Sequence, residues 1–236
     1  MTMFDFGNAL FFDGVNDVLT FPHGEDLNFG TGDFTICFWI NGVVWYGSGS
    51  VTMFSIIAGD YRILIRTPIG NSRGRFFIQL EQVSTGTIHA TSGAVSTYAD
   101  LNRWNFVRLK REGTMLSVQV NRKLKQQITT AGIMNLNMPA SGQNWQLFGN
   151  RNSFYIDYLL FFRRALTANE ELFLYNDGLG NTPDNLPALV RNYRFNQPAG
   201  DASLTGSLVD SGVSARHGTL TGYTAGAIDF INHYTV

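Results

Sequence analysis

"WNFVRLKREGTMLSVQVN", residues 104–121, decides the fold. In its second half Leu116, Val118 and Val120 fall on one side, and Ser117, Gln119 and Asn121 on the other. Successive side chains of a strand point to opposite faces, so this period of two predicts a half-buried strand. "WNFVRLK", residues 104–110, reads as a further strand, and "REGT" as a turn. The alternation recurs in "YRILIR", where Tyr61, Ile63 and Ile65 oppose Arg62, Leu64 and Arg66, and another strand is predicted at "FFIQL", residues 76–80. "FTICFWI" (34–40) and "YIDYLLFF" (155–162) are instead apolar on both faces, as central strands of packed sheets must be. "YGSGS", "GNSRGR" and "PASGQN" supply turns between them. The pattern predicts an all-β sandwich of two packed antiparallel sheets.

The bulk composition agrees. Only 15% of the 236 residues are charged, against about a quarter in ordinary domains, while Gly and Asn, the residues of tight turns, are abundant. A net charge of −1 offers no long-range field to nucleic acid or to an acidic membrane. No apolar run reaches the ~18 residues of a membrane span, so no membrane insertion is expected. Cys37, the single cysteine, excludes an intrachain disulfide and sits in an apolar run as a small buried hydrophobe. The first residues, "MTMFDFGNAL", lack the basic start of a secretory signal.

One segment departs from the strand pattern. In "ALTANEELFLYNDG" (165–178), Thr167 and Glu170 have capping-box spacing and Gly178 offers a stop, which predicts a short helix near residues 169–176. Leu172 and Tyr175 share a face, so the helix is expected to lie as a lid on an open edge of the sandwich. Beyond the linker "GNTPDNLPAL", the stretch "LVRNYRF" alternates with Leu189, Tyr193 and Phe195 together. About fifty residues are marginal for a core of their own. The chain is therefore expected to form a single domain, 1–236, with residues 187–236 contributing closing strands.

"LFFDGVNDVLTFP", "FTICFWI", "WNFVRLKREGTMLSVQVNRK" and "YIDYLLFFRRALTANEELFLYNDG", in this order, resemble the laminin-G-like, concanavalin A-like jelly-roll domains related to pentraxins. The likeness spans residues 10–178. The tail, with "LVRNYRF", "DSG" and "RHGTL", is similar to a stretch that often precedes the "FDG" strand in such domains. The resemblance implies a jelly-roll sandwich and, in many relatives, bound Ca²⁺. Here Tyr158 follows Asp157 where many relatives carry Glu, and Arg122 replaces a frequent Gly.

The chemistry-bearing residues are few. Glucan-hydrolysing relatives place acids in an E-x-D-x-x-E pattern on one strand, and glycoside hydrolysis generally needs two carboxylates about 5 to 9 Å apart. The five Glu (25, 81, 112, 170, 171) form no such pattern, so no enzyme is expected. The four His lack metal-ligand spacing. The turn holding Asp13, Gly14, Asn16 and Asp17 has two readings: a Ca²⁺ site at Asp13 and Asp17, joined by Asp157 from across the sheet, or oxygens that brace a tight turn. Asp157 could equally pair with an arginine. Trp45 and Tyr46, ahead of the flexible "GSGS", together with Arg73 in "NSRGR", are the candidate ligand contacts. Trp45 also suits a strand-end core position, and Arg73 a solvated turn.

These readings point to a non-catalytic recognition or structural module. The first expectation is a bacteriophage virion component (capsid decoration, fibre or tail protein) at the particle surface, binding glycan or neighbouring subunits and possible as a homo-oligomer. The alternative is a lectin-like, Ca²⁺-dependent carbohydrate-binding module of a secreted bacterial protein, acting outside the cell.

Overall fold

A computed structural model of the chain describes residues 8–45, 51–67, 74–93, 98–129, 144–149, 151–195, 200–201, 207–212, 216–221 and 229–232. Two large antiparallel sheets face one another, as the alternation requires. The first runs, in spatial order, Gln126–Thr129, Met115–Val120, Trp104–Glu112, Phe34–Trp45, Asn152–Phe162, Asn8–Phe12, Asp229–Asn232 and Gly200–Asp201. The second runs Ser207–Leu208, Gly218–Thr221, Val18–Phe21, Trp145–Phe148, Val51–Ala58, Tyr61–Thr67, Phe77–Gln82 and Ile88–Thr91. The residues read as inward-facing fill the space between them: Leu116, Val118, Val120, Ile63 and Ile65 are all fully buried in one core with Phe21, Phe54 and Phe161.

The two doubly apolar runs are central, and each feeds two cores. Phe34, Ile36, Phe38 and Ile40 point between the sheets, while Cys37 and Trp39 point outward from the first sheet. Trp39, Phe106, Tyr158 and Leu160 thus make an apolar outer face that needs a cover. The helix Ala168–Tyr175 supplies it, placing Leu174 (1% exposed) in that cluster and Tyr175 against it. It therefore lies on a face of the sandwich, where an edge lid was expected, and Leu172 stays 46% exposed. The reason is electrostatic as well as apolar. Glu171 meets Arg108 and Lys110, two largely buried cations of the strand beneath, which turns the Glu171–Leu174–Tyr175 side inward. The capping box at Thr167 and Glu170 is present, and Arg164 grips Glu170 with two bonds of 2.7 Å. The helix ends at Asn176, in the left-handed region.

The strand Leu189–Tyr193 pairs with Leu159–Phe162, in line with Asn8–Phe12, which occupies the neighbouring stretch of the same edge. A bulge opposite Phe161 and Phe162 breaks the simple alternation expected there. Leu189 consequently turns toward the helix cluster, while Val190, Tyr193 and Phe195 enter the core between the sheets. The "DSG…RHG" stretch explains itself locally. The buried Asp210 carboxylate accepts from the backbone N–H groups of Asn192, Gly212 and Arg216 at 2.8–3.0 Å, drawing the tail around that strand. No helix among the described residues is long and apolar enough to cross a membrane.

Candidate ligand-binding groove

The acidic turn between the strands Asn8–Phe12 and Val18–Phe21 is built from its own backbone requirements. Gly14 has φ +89°, and a Cβ there would lie 3.2 Å from the Asn152 backbone. Asp13 Oδ1 accepts from Val15 N–H (2.8 Å), and Asp17 Oδ2 accepts from Asp13 N–H (2.7 Å). These are the bonds that make Asp a turn residue. Asp17 is fully buried, and burial, helped by the nearby Asp13 carboxylate, pushes its carboxyl up to about 7.

Calcium takes about six to eight oxygen ligands. Asp17 Oδ1, and Asn152 Oδ1 of the residue packed against Gly14, are buried oxygens without a protein partner among the described residues. Asp157 does not join them. It lies five residues along the strand from Asn152, about 16 Å at ~3.3 Å per residue, fully buried with Oδ1 accepting from Tyr158 N–H at 2.7 Å. That bond supports the bulge in which Tyr158 takes φ +45°. Among the described residues no three Asp, Glu, His or Cys side chains are placed to share a metal. The set Asp13, Asp17, Asp157 therefore does not fit as a calcium cage.

The raised Asp17 carboxyl has a testable sign. Its folded pKa lies above the unfolded value near 3.8, so the folded state holds a proton that the unfolded state releases. This stabilisation is full below about pH 4 and is lost as pH rises to about 7. Stability of the wild type relative to Asp17→Asn should fall across that window, with a slope approaching ~1.4 kcal/mol per pH unit. Denaturant melts at pH 4, 5.5 and 7 measure it. Parallel curves would refute the shift, and a wild-type melting temperature lowered by chelator would restore the calcium reading.

Trp45 is a core residue. It is 7% exposed, stacked on Phe154 (6.3 Å between centroids, 15°) and set edge-on to Phe76 (5.9 Å, 84°). Gly42 and Gly74 lie so close to its ring that a Cβ on either would come within 2.4 Å. The expectation of a ligand contact at Trp45 is corrected accordingly: two glycines and two phenylalanines shape a slot that buries the ring. Tyr46 and Arg73 fall outside the described residues.

The second sheet carries no helix on its outer face among the described residues, and its register assembles a groove there. Thr20, Gln146, Ser55, Leu64 and Gln79 pair in one row. Ile57, Arg62 and Glu81 form the next row, and Thr52 pairs with Arg66 on the other side. Of these, Thr52, Ser55, Ile57, Arg62, Leu64, Arg66, Glu81 and Gln146 line, with Val51 and Arg151, a cleft of about 470 Å³, within the ~300–1,000 Å³ range of ligand sites. Leu64 and Val51 give it a mostly buried apolar floor. Arg62 is tied to Glu81 at 2.6 Å, and Arg66 donates from Nη1 to Gln79 Oε1 at 2.9 Å. A smaller cleft, about 250 Å³, lies under the helix beside Arg108 and Glu171, whose charges are spent on holding the helix.

Sequence reasoning put Arg62, Leu64 and Arg66 on one face of their strand but did not connect them to a site. The alternation was the only signal; their neighbours Ser55, Gln146 and Glu81 come from strands whose register no local pattern states.

Comparison with known proteins returns the same architecture. A protein from Bacteroides ovatus ATCC 8483, itself only provisionally described as carbohydrate binding, superposes with a TM-score of 0.63 at 16% identity, over 97% of this chain and 60% of its own. The binding domain of botulinum neurotoxin serotype D gives 0.52 at 14% identity, over 86% of this chain and 52% of the other. The enzymatically active domain of tailspike protein 2 of bacteriophage CBA120 gives 0.52 at 10% identity, over 77% and 28%. This chain thus spans between about a quarter and three-fifths of the length of these three structures. No curated protein matches it. The sequence model described as the concanavalin A-like lectin/glucanases superfamily matches residues 13–170, which takes in the acidic turn, the central strands and the start of the covering helix, and the chain belongs to that family.

Proposed function

We propose that the protein is a non-catalytic glycan-recognition module whose binding surface is the outer face of the second sheet. The observation that carries this reading is the division of labour between the two outer faces. A helix seals the first, while the second presents a cleft with an apolar floor and a wall of Thr52, Ser55, Gln146 and arginine donors. Sugars match such a surface, with C–H faces for the floor and hydroxyls for the wall. The absence of catalysis is supported by the lining. Glu81 is the one carboxylate on it among the described residues, and Arg62 occupies it, whereas glycoside hydrolysis needs a pair.

For its setting we propose the surface of a bacteriophage particle, where the chain would contact host glycan or neighbouring subunits. The tailspike domain supports this at the level of fold. Detection of the chain in many copies in purified particles would bear it out. A parent gene encoding an export signal would favour the secreted carbohydrate-binding alternative.

The groove is tested by a glycan array with the wild type and Ser55→Trp, whose indole would occupy the cleft. Binding is expected in the wild type and a loss of at least about tenfold in the variant, ~1.4 kcal/mol or more, with no reducing sugar released by either. Equal binding by a folded Ser55→Trp protein would move the site elsewhere.

A further inference from the structure

The charge of the groove narrows the class of sugar, an inference that rests on the reading of the groove as a glycan site. Arg62, Arg66 and Arg151 line it, three cationic side chains against the one carboxylate, Glu81, among its described lining residues, in a chain whose net charge is −1. Positive charge is therefore concentrated where a ligand would lie. Arg62 and Glu81 are direct cross-strand partners, and the Arg66 bond to Gln79 also runs across the sheet, so both guanidiniums are held in place before any ligand arrives. Such pre-ordering reduces the entropy lost on binding.

The described lining also contains no aromatic ring. Stacking, which supports sequence-tolerant binding of bases, is absent from it, and that argues against a nucleic acid. A neutral sugar likewise finds no ring to stack on there, so affinity must come from hydrogen bonds and charge. We propose that the groove takes an acidic saccharide, a glycan bearing carboxylate or sulfate groups. The acidic group sits on Arg62, Arg66 and Arg151, and neighbouring hydroxyls bond to Thr52, Ser55 and Gln146. The planar, multi-donor guanidinium suits both oxyanions.

The test is calorimetry on the full chain with four probes: trigalacturonate, its carboxyl-reduced counterpart, a sulfated galactan oligomer, and its desulfated form. An acidic member should bind at least about tenfold more tightly than its neutral counterpart, and the gap should shrink between 50 and 500 mM NaCl as screening sets in. Which acidic member binds distinguishes carboxylate from sulfate. Arg66→Gln and Arg151→Gln should each weaken the acidic probe about tenfold. Circular dichroism confirms that the variants fold. Equal binding of acidic and neutral members would overturn the acidic preference and leave the glycan reading standing. A preference that survives in the Arg66→Gln/Arg151→Gln double variant would overturn the placement. Failure of all four probes would overturn both.

Discussion

Truncation after Gly180 is expected to leave a chain that does not fold. The strand Leu189–Tyr193 and the residues after it bring Val190, Tyr193 and Phe195 into the central core, at 9%, 0% and 1% exposure. The Tyr193 ring packs 5.1 Å from Phe21 and 6.2 Å from Phe161, so its loss opens the contact between the sheets. Burying a large apolar side chain contributes ~1.5 to 3 kcal/mol. Three of them approach the ~5 to 15 kcal/mol that stabilises a whole domain. The truncated chain would also leave the edge of Leu159–Phe162 unpaired, inviting aggregation. We therefore propose that residues 187–236 close the same domain that begins at the N-terminus. Circular dichroism and solubility of the truncated protein decide it: a melt at the full-length temperature would make the tail an appendage.

Asp26→Ala should be the most damaging single substitution. Asp26 holds Arg191 with two bonds, 2.5 Å from Nε and 3.0 Å from Nη2, and the Arg191 side chain is fully buried. The same guanidinium donates to the Tyr193 hydroxyl, which in turn donates to the Arg216 carbonyl at 2.6 Å. Removing the carboxylate strands a buried cation, a change that costs about 3 to 5 kcal/mol. Replacing both partners removes the stranded charge, so Asp26→Ala/Arg191→Met should recover much of the loss. Denaturant melts of the single and double variants give the comparison. A loss below about 1 kcal/mol for Asp26→Ala would show that water or Tyr193 satisfies the arginine unaided.

Much of this architecture is legible in the sequence because strand periodicity reports burial directly. Leu116, Val118 and Val120 face the core as their alternation says, and the doubly apolar runs proved to be the strands with a cluster on each side. The Thr167–Glu170 cap was equally readable, since both partners lie within one turn. What local pattern does not contain is register and the choice of face. The helix turned by one position to satisfy Arg108 and Lys110, and a bulge at Phe161 and Phe162 sent Leu189 away from Tyr193. The candidate site suffered most. Trp45 beside a glycine-rich loop resembles a sugar platform until Gly42 and Gly74 are seen to bury it. The three acids singled out in sequence separate between an end turn and a bulge further along a strand. The groove itself joins residues from four paired strands, whose alignment emerges only when the sheet forms.

The most direct test of the groove as the recognition surface is NMR mapping of the bound oligosaccharide on the full-length protein. Titration should shift the amides of Thr52, Ser55, Leu64 and Gln146 together with the side-chain Nε–H signals of Arg62 and Arg66, while Leu172 and Tyr175 on the helix and Asp13 and Asp17 in the acidic turn stay unmoved. Shifts gathered on the helix or on the acidic turn, with the groove silent, would contradict it.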